Sequence, residues 1–399
     1  MNNIKDNLFD YLVCLMVLIL PFSNAIPNIF LIVLSILFLK DLSIQKIKNI
    51  RFTGLILFAI LVIYITLKAF VFETFLLDFP VYRGYLLALW LLVILHKVKD
   101  FKILKIFLLV SINTTVLASF FLIWKFYKIY HFLPFSNTGE VNELLILERP
   151  YAGFYAVLGI FLSLELTSTL KKYKFLLITS SVIMFVFIIL ISARLSILTI
   201  FLTAIIYLLF YQKTKAYLKT ATILVLLLVF GAILQYNKNI KQRFFIRESL
   251  EKSIEIASNY EPRFVIWNCA YEMAKTTNYS LLFGLESYAL INKNYIECYG
   301  KNISNPNKKD YFLTTNFNSH NQIIDYLLIG GLLAFFILAA FFIHLFSLVR
   351  KQFFNTALFV TIVFFFLVEN VLYRQFGCYV FSIFVALLSI KKKHINDEN

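Results

Sequence analysis

Residues 151–212 read YAGFYAVLGIFLSLELTSTLKKYKFLLITSSVIMFVFIILISARLSILTIFLTAIIYLLFYQ. The main polar interruptions are Lys171-Lys172-Tyr173-Lys174 and, further on, Ser192-Ala193-Arg194-Leu195-Ser196. A helix needs about 20 largely apolar residues to cross a hydrocarbon core, so this stretch predicts three successive membrane helices joined by short turns. The whole chain of 399 residues follows the same pattern: 60% are hydrophobic, 45 are Phe, 23 are Tyr, mean hydropathy is +0.80 and only 15% are charged. Soluble domains carry about 25% charged residues, because their surface has to face water. A soluble enzyme and a disordered chain are therefore both excluded.

Windows of membrane-crossing size place spans near 8–22, 26–39, 52–72, 79–95, 103–123, 151–168, 175–191, 195–211, 217–235, 322–346, 353–370 and 374–390. The first two are short and joined by Pro21-Phe22-Ser23-Asn24-Ala25-Ile26-Pro27, either a tight hairpin or one broken element, so the count is twelve or eleven. The expected fold is an all-α polytopic membrane protein with a large, partly helical loop between spans nine and ten. It divides into 1–150 (spans one to five and a short outer loop), 151–235 (spans six to nine), 236–321 (the loop) and 322–399 (spans ten to twelve and the tail). The first run lacks a small-residue cleavage site and is followed at once by another, which predicts an anchor rather than a cleaved signal.

The formal charge of +16 would point a soluble protein toward nucleic acid. In a membrane chain it first reports orientation. The N-terminus, 40–51, 97–105, 171–174, 213–219, 350–351 and the tail Lys391-Lys392-Lys393 together hold 20 Lys and Arg, whereas the short connections on the other side hold only Arg194 and Arg374. By the positive-inside rule both termini are cytoplasmic, and no nucleic-acid partner is expected. Loop 236–321 is external, with 11 basic and 8 acidic residues, and the helical spacing of Phe264, Trp267, Tyr271 and Ala274 predicts a partly helical cap.

Three residues on that outer side can carry chemistry. Arg194 opens a span, where a cation near the membrane plane has to be paired, meet water or snorkel to lipid phosphate. Arg263 follows Pro262, a residue suited to the first helical turn, and would stand beside the free N–H groups of a helix start, a natural anion site. Its plain alternative is a salt bridge to Glu261 or another loop carboxylate. His320, in Phe317-Asn318-Ser319-His320-Asn321-Gln322, lies where the chain re-enters the membrane. An imidazole there can act as base, acid, pyrophosphate ligand or simple helix cap. Arg149, Arg83 and Asn321 are further candidates for substrate contact, with snorkelling or an Arg149–Glu148 interaction as the alternative for the arginines. His96, His131, His344 and His394 show no metal spacing, and no Gly-rich phosphate loop, CxxC, HExxH or 20–50-residue repeat is present. No metal and no cofactor is expected. Cys14 and Cys378 fall in spans, while Cys269 and Cys298 share the external loop, where an oxidising compartment permits a disulfide.

Ser192-Ala193-Arg194-Leu195-Ser196, Pro262-Arg263-Phe264-Val265-Ile266-Trp267 with Leu282-Phe283-Gly284, and Ser319-His320-Asn321-Gln322-Ile323 with Gly330-Gly331 together resemble the O-antigen ligase family, which includes related polymerases and protein O-oligosaccharyltransferases. Their order and spacing match the family's central domain over roughly 150–350. The resemblance implies transfer of a glycan from an undecaprenyl-pyrophosphate-linked donor to a lipid A-core acceptor at the periplasmic face of the bacterial inner membrane, within membrane lipid. It implies that Arg194 and Arg263 bind pyrophosphate and that His320 is the essential loop histidine. The start of span six, Arg149-Pro150-Tyr151-Ala152-Gly153, departs from the family by lacking an Asn often found there. A lipid-linked oligosaccharide flippase, the competing class, would line a path through the bilayer with charge instead of gathering it at the outer face.

Overall fold

The computed structural model describes residues 2–40, 53–133, 138–236 and 262–389, and among these it is helical with a single isolated bridge, Ser280 to Gly284. The helices are α1 (Asn2–Ile19), α2 (Ile26–Lys40), α3 (Thr53–Val71), α4 (Phe75–Leu95), α5 (Phe101–Tyr130), α6 (Thr138–Glu143), α7 (Arg149–Leu166), α8 (Lys174–Leu190), α9 (Arg194–Ile206, continued by a π turn to Tyr211) and α10 (Ala216–Tyr236). After them come α11 (Pro262–Met273), α12 (Tyr288–Asn302), α13 (Pro306–Thr315), α14 (Gln322–Val349), α15 (Phe353–Phe366) and α16 (Gln375–Ser389). Among the described residues, six stretches are long and apolar enough to cross a membrane: Gly54–Val71, Phe75–Leu95, Phe101–Tyr130, Lys171–Leu190, Arg194–Tyr211 and Gln322–Val349. Shorter apolar helices accompany them. The chain is a multi-pass membrane protein.

Polar residues mark the helix ends. Asp100 caps α5 by accepting from the N–H groups of Lys102 and Ile103 at 2.9 and 3.0 Å. Pro150 sits in the first turn of α7, where its missing N–H costs nothing. Within the bundle, α7 and α16 are the inner helices, buried almost all round, with α5, α8, α9 and α15 against α7 and α4 against α16. Outer helices bury one face and expose apolar side chains on the other, as Ile29, Ile32 and Ile36 do on α2. That stripe is costly in water and natural where the solvent is lipid.

The two glycine-bearing motifs meet. Gly331, at φ +61°, interrupts α14, and the segment Ser280–Leu285 packs into the interruption. All four carbonyls orphaned at the end of the first half-helix find donors. Leu327 O accepts from Tyr279 Oη at 3.1 Å, Leu328 O from the N–H of Leu285 at 2.7 Å, Ile329 O from Lys68 Nζ and Gly330 O from Tyr64 Oη at 3.0 Å. On the far side of the break the N–H groups of Leu332 and Leu333 donate to Leu281 and Leu282 carbonyls at 2.9 and 3.2 Å. Lys68 Nζ also holds the Phe283 and Leu285 carbonyls, at 2.6 and 2.5 Å. Non-helical backbone at membrane depth is tolerated where protein groups satisfy it, and here four carbonyls and two N–H groups at the break are met in that way. A Cβ on Gly331 would lie 2.5 Å from the Leu282 carbonyl, so the approach requires glycine.

Candidate active site

Arg263 enters the site from the first turn of α11. Its Nε and Nη2 donate to the Val368 carbonyl at 3.3 and 3.1 Å, and Nη2 also donates to Glu369 Oε1 at 3.0 Å. The expected partner Glu261, and Asn259 beside it, lie outside the described residues. One turn further on, Trp267 Nε1 donates to the Ser319 carbonyl at 3.0 Å. Helix α11 therefore grips two loops at once, one after α15 and one before α14. A disulfide between Cys269 and Cys298 ties α11 in turn to α12.

His320 stands on the second of these loops with φ +43°, its backbone N–H held by Asn318 Oδ1 at 3.1 Å. The ring lies against Phe317, and Nδ1 is 3.4 Å from Glu369 Oε2. Arg263 and His320 thus share one carboxylate. Glu369 is 7% exposed, so the interaction is largely shielded from water, where a charge-assisted contact is strongest. The imidazole side chain keeps 26% of its surface open.

Beneath the pair lies a second carboxylate, Asp325, in the first turn of α14. Oδ1 accepts from Tyr373 at 2.7 Å, Asn370 Nδ2 at 3.2 Å and Ser319 Oγ at 3.4 Å, while Oδ2 accepts from Tyr85 and Tyr288, each at 3.1 Å. Burial, followed by the charge of Asp325, pushes the Tyr288 hydroxyl well above its ordinary range, so it stays protonated and donating. Asn370 Oδ1 meanwhile accepts from Ser319 Oγ at 3.0 Å and from the Asn321 N–H at 2.7 Å. The residues flanking His320 and Glu369 are therefore bolted to one another.

The other candidates are distributed differently. Arg194 is half-buried at the start of α9, just after Ser192 at φ +52°. The turn before it presses on α7, where a Cβ on Gly153 would meet Ser196 Oγ at 2.4 Å and Ala193 Cβ at 2.7 Å. Helix α7 stacks Phe154 on Phe365 of α15 at 4.0 Å, and Phe365 O accepts from the Glu369 N–H at 3.0 Å. Arg194 and Glu369 therefore occupy the same end of the bundle. Asn321 is the cap of α14: its Oδ1 accepts from the Ile323 and Ile324 N–H groups at 2.9 and 3.0 Å, and its Nδ2 donates to the Leu367 carbonyl at 2.8 Å. Arg83 is exposed and donates Nε to the Pro80 carbonyl of its own helix at 3.1 Å. Arg149 is buried at the start of α7, its N–H held by Asn142 Oδ1 at 2.9 Å, while neighbouring Glu148 pairs with Arg374 at 2.5 Å.

Two residues central to this arrangement were not singled out in the sequence. Glu369 and Asp325 both fall inside predicted spans, 353–370 and 322–346, and an ionisable residue within an apolar run is itself a pointer to function or to a buried partner. Beside the cluster a cleft of about 540 Å3 opens between α11 and α13, lined by Phe264, Val265, Asn268, Asn302, Asn305 and Lys308 among others. Among the described residues no group of three or more His, Cys, Asp and Glu could hold a metal ion.

No curated protein matches the chain. Residues 179–339 match the family model described as O-antigen ligase. The match runs from α8 across the interrupted region of α14 and takes in Arg194, Arg263, His320 and Asp325. Through that stretch the chain is similar to the O-antigen ligase family.

Proposed function

We propose that the protein transfers a glycan from undecaprenyl pyrophosphate to a lipid A-core oligosaccharide at the periplasmic face of the bacterial inner membrane. The observation that carries this reading is the joining of Arg263 and His320 through Glu369 at the end of the bundle where Arg194 also stands. In this layout twelve helices span the membrane, both termini are cytoplasmic and 236–321 is periplasmic, in keeping with the 20 basic residues of the alternate loops and tail.

The chemistry follows from the groups present. An acceptor hydroxyl oxygen forms a bond to the anomeric carbon of the donor sugar, and the bond from that carbon to the pyrophosphate oxygen breaks. The electron pair leaves with the lipid pyrophosphate, whose charge Arg194 and Arg263 meet with guanidinium groups already in place. The hydroxyl proton passes to His320. With Nδ1 turned toward Glu369, a neutral imidazole carries its hydrogen on Nδ1 and keeps the Nε2 lone pair for that proton, which favours the role of base over that of pyrophosphate ligand. Holding both lipid-borne reactants in one membrane plane supplies much of the remaining acceleration. No cofactor is called for. The amide and aromatic side chains lining the cleft between α11 and α13 suit sugar hydroxyls and ring faces.

Reconstitution of the full chain with purified lipid-linked donor and lipid A-core acceptor tests the reading. Arg194→Ala and Arg263→Ala should each lower transfer about 100-fold or more while leaving membrane insertion intact. Normal transfer by both variants rejects it. A wild-type protein that joins repeat units to one another instead identifies a polymerase, and one that modifies Ser or Thr of a polypeptide identifies a protein glycosyltransferase.

A further inference from the structure

We propose that Glu369 is a positioning residue for transfer: its carboxylate holds the His320 imidazole so that Nε2 is the proton-accepting nitrogen, and ties that imidazole to the donor-binding Arg263. The inference rests on the transfer reading above and deepens it.

The two oxygens of Glu369 are used separately. Oε1 accepts from Arg263 Nη2 at 3.0 Å and Oε2 faces His320 Nδ1 at 3.4 Å. Each contact reaches the carboxylate from a different element, α11 in one case and the loop before α14 in the other. The residue is 7% exposed, and its backbone is fixed by the bond from its N–H to the Phe365 carbonyl and by the Asn370 network below it. The carboxylate is therefore a rigid double acceptor placed between two donors. Its effect on the imidazole is one of tautomer and orientation. A hydrogen on Nδ1 is stabilised by the facing carboxylate, and the lone pair is left on Nε2. The contact at 3.4 Å is long for a hydrogen bond, and such bonds commonly tighten only when the reactants are bound.

The same geometry says what a conservative change does. A glutamine at 369 has one acceptor oxygen in place of two. Turned one way, its NH2 group faces the Arg263 guanidinium, donor against donor. Turned the other way, the NH2 faces His320 Nδ1 and favours the tautomer whose Nε2 already carries hydrogen and cannot accept the proton. An aspartate keeps both acceptor oxygens on a side chain one methylene shorter.

The test uses the reconstituted full-length protein with purified lipid-linked donor and lipid A-core acceptor. Donor dissociation constants are measured separately, without acceptor. Glu369→Gln should lower kcat about 100-fold, the scale of a misplaced general base, while the donor dissociation constant stays within about threefold of wild type. Glu369→Asp should be at least about tenfold faster than Glu369→Gln. A kcat for Glu369→Gln within threefold of wild type overturns the proposal. So does a loss of donor binding as large as the loss of kcat, which marks Glu369 as merely holding the site together, and so does an Asp variant no faster than the Gln variant. His320→Ala separates this proposal from the reading beneath it. If His320→Ala transfers at the wild-type rate, the base assignment itself falls; if it fails while Glu369→Gln transfers normally, only the present inference falls.

Discussion

Asp325 shows how much a single carboxylate can organise. Five side chains from α4, α12, the loop before α14 and the loop after α15 donate to its two oxygens. Removing the acceptor leaves several buried donors without a partner, and an unsatisfied buried polar group costs about 1–3 kcal/mol. Asp325→Ala should therefore destabilise the detergent-solubilised protein by about 3 kcal/mol or more, read as a lower midpoint in a thermal unfolding scan. An unchanged midpoint would show that the network is dispensable. Its acidic character and its place in an apolar run were legible in the sequence, but its partners were not, because Tyr85 and Tyr288 are 240 and 37 residues away along the chain. Arg263 teaches the same lesson. The sequence offered Glu261 or another loop carboxylate as its plain partner; Glu261 lies outside the described residues, and among those described Arg263 meets the carboxylate of Glu369, 106 residues away.

At the scale of elements, the interruption of α14 decides how the segment between α11 and α12 meets the apolar helices. Gly330-Gly331 and Leu282-Phe283-Gly284 are visible in the sequence only as separate parts of a family resemblance. That they face one another follows from hydrogen bonding, since a helix broken at membrane depth strands carbonyls that only a nearby backbone or side chain can reach. Lys68 answers the same need. It sits in an apolar run of α3 and serves three carbonyls of the cap and the broken helix. Gly331→Ala places a methyl group against the Leu282 backbone at a positive φ. A non-glycine residue there costs about 1–3 kcal/mol in strain alone, with the steric clash added. The variant should unfold at lower temperature and expose 279–286 to limited proteolysis, whereas a wild-type cleavage pattern would show that the break tolerates a side chain.

For the whole molecule, charge and hydropathy make the boldest statement and the simplest to check. Lys293 on α12 is well exposed, and Lys172 lies at the opposite end of the bundle in the turn before α8. The free cysteines Cys14 and Cys378 are buried, and Cys269 and Cys298 are bonded to each other. In intact cells with a permeable outer membrane, a membrane-impermeant maleimide should label Lys293→Cys, and should label Lys172→Cys only after the inner membrane is opened. The reverse pattern would invert the proposed orientation. What the sequence determined by itself is the part of the protein written in local composition: apolar runs of membrane length, basic residues in alternate connections, and the short polar segments carrying Arg194, Arg263 and His320. The Cys269–Cys298 bond was readable only as permitted, since shared location in a loop says nothing about distance. What the tertiary structure alone decided is pairing: Glu369 between Arg263 and His320, five donors around Asp325, and one lysine closing a broken helix across 261 residues of chain. The physical reason is one of range. Hydropathy and turn chemistry act over a helical turn or a span, whereas the cost of burying a charge is met by whichever partner packing brings within about 3 Å, and sequence distance has no bearing on that.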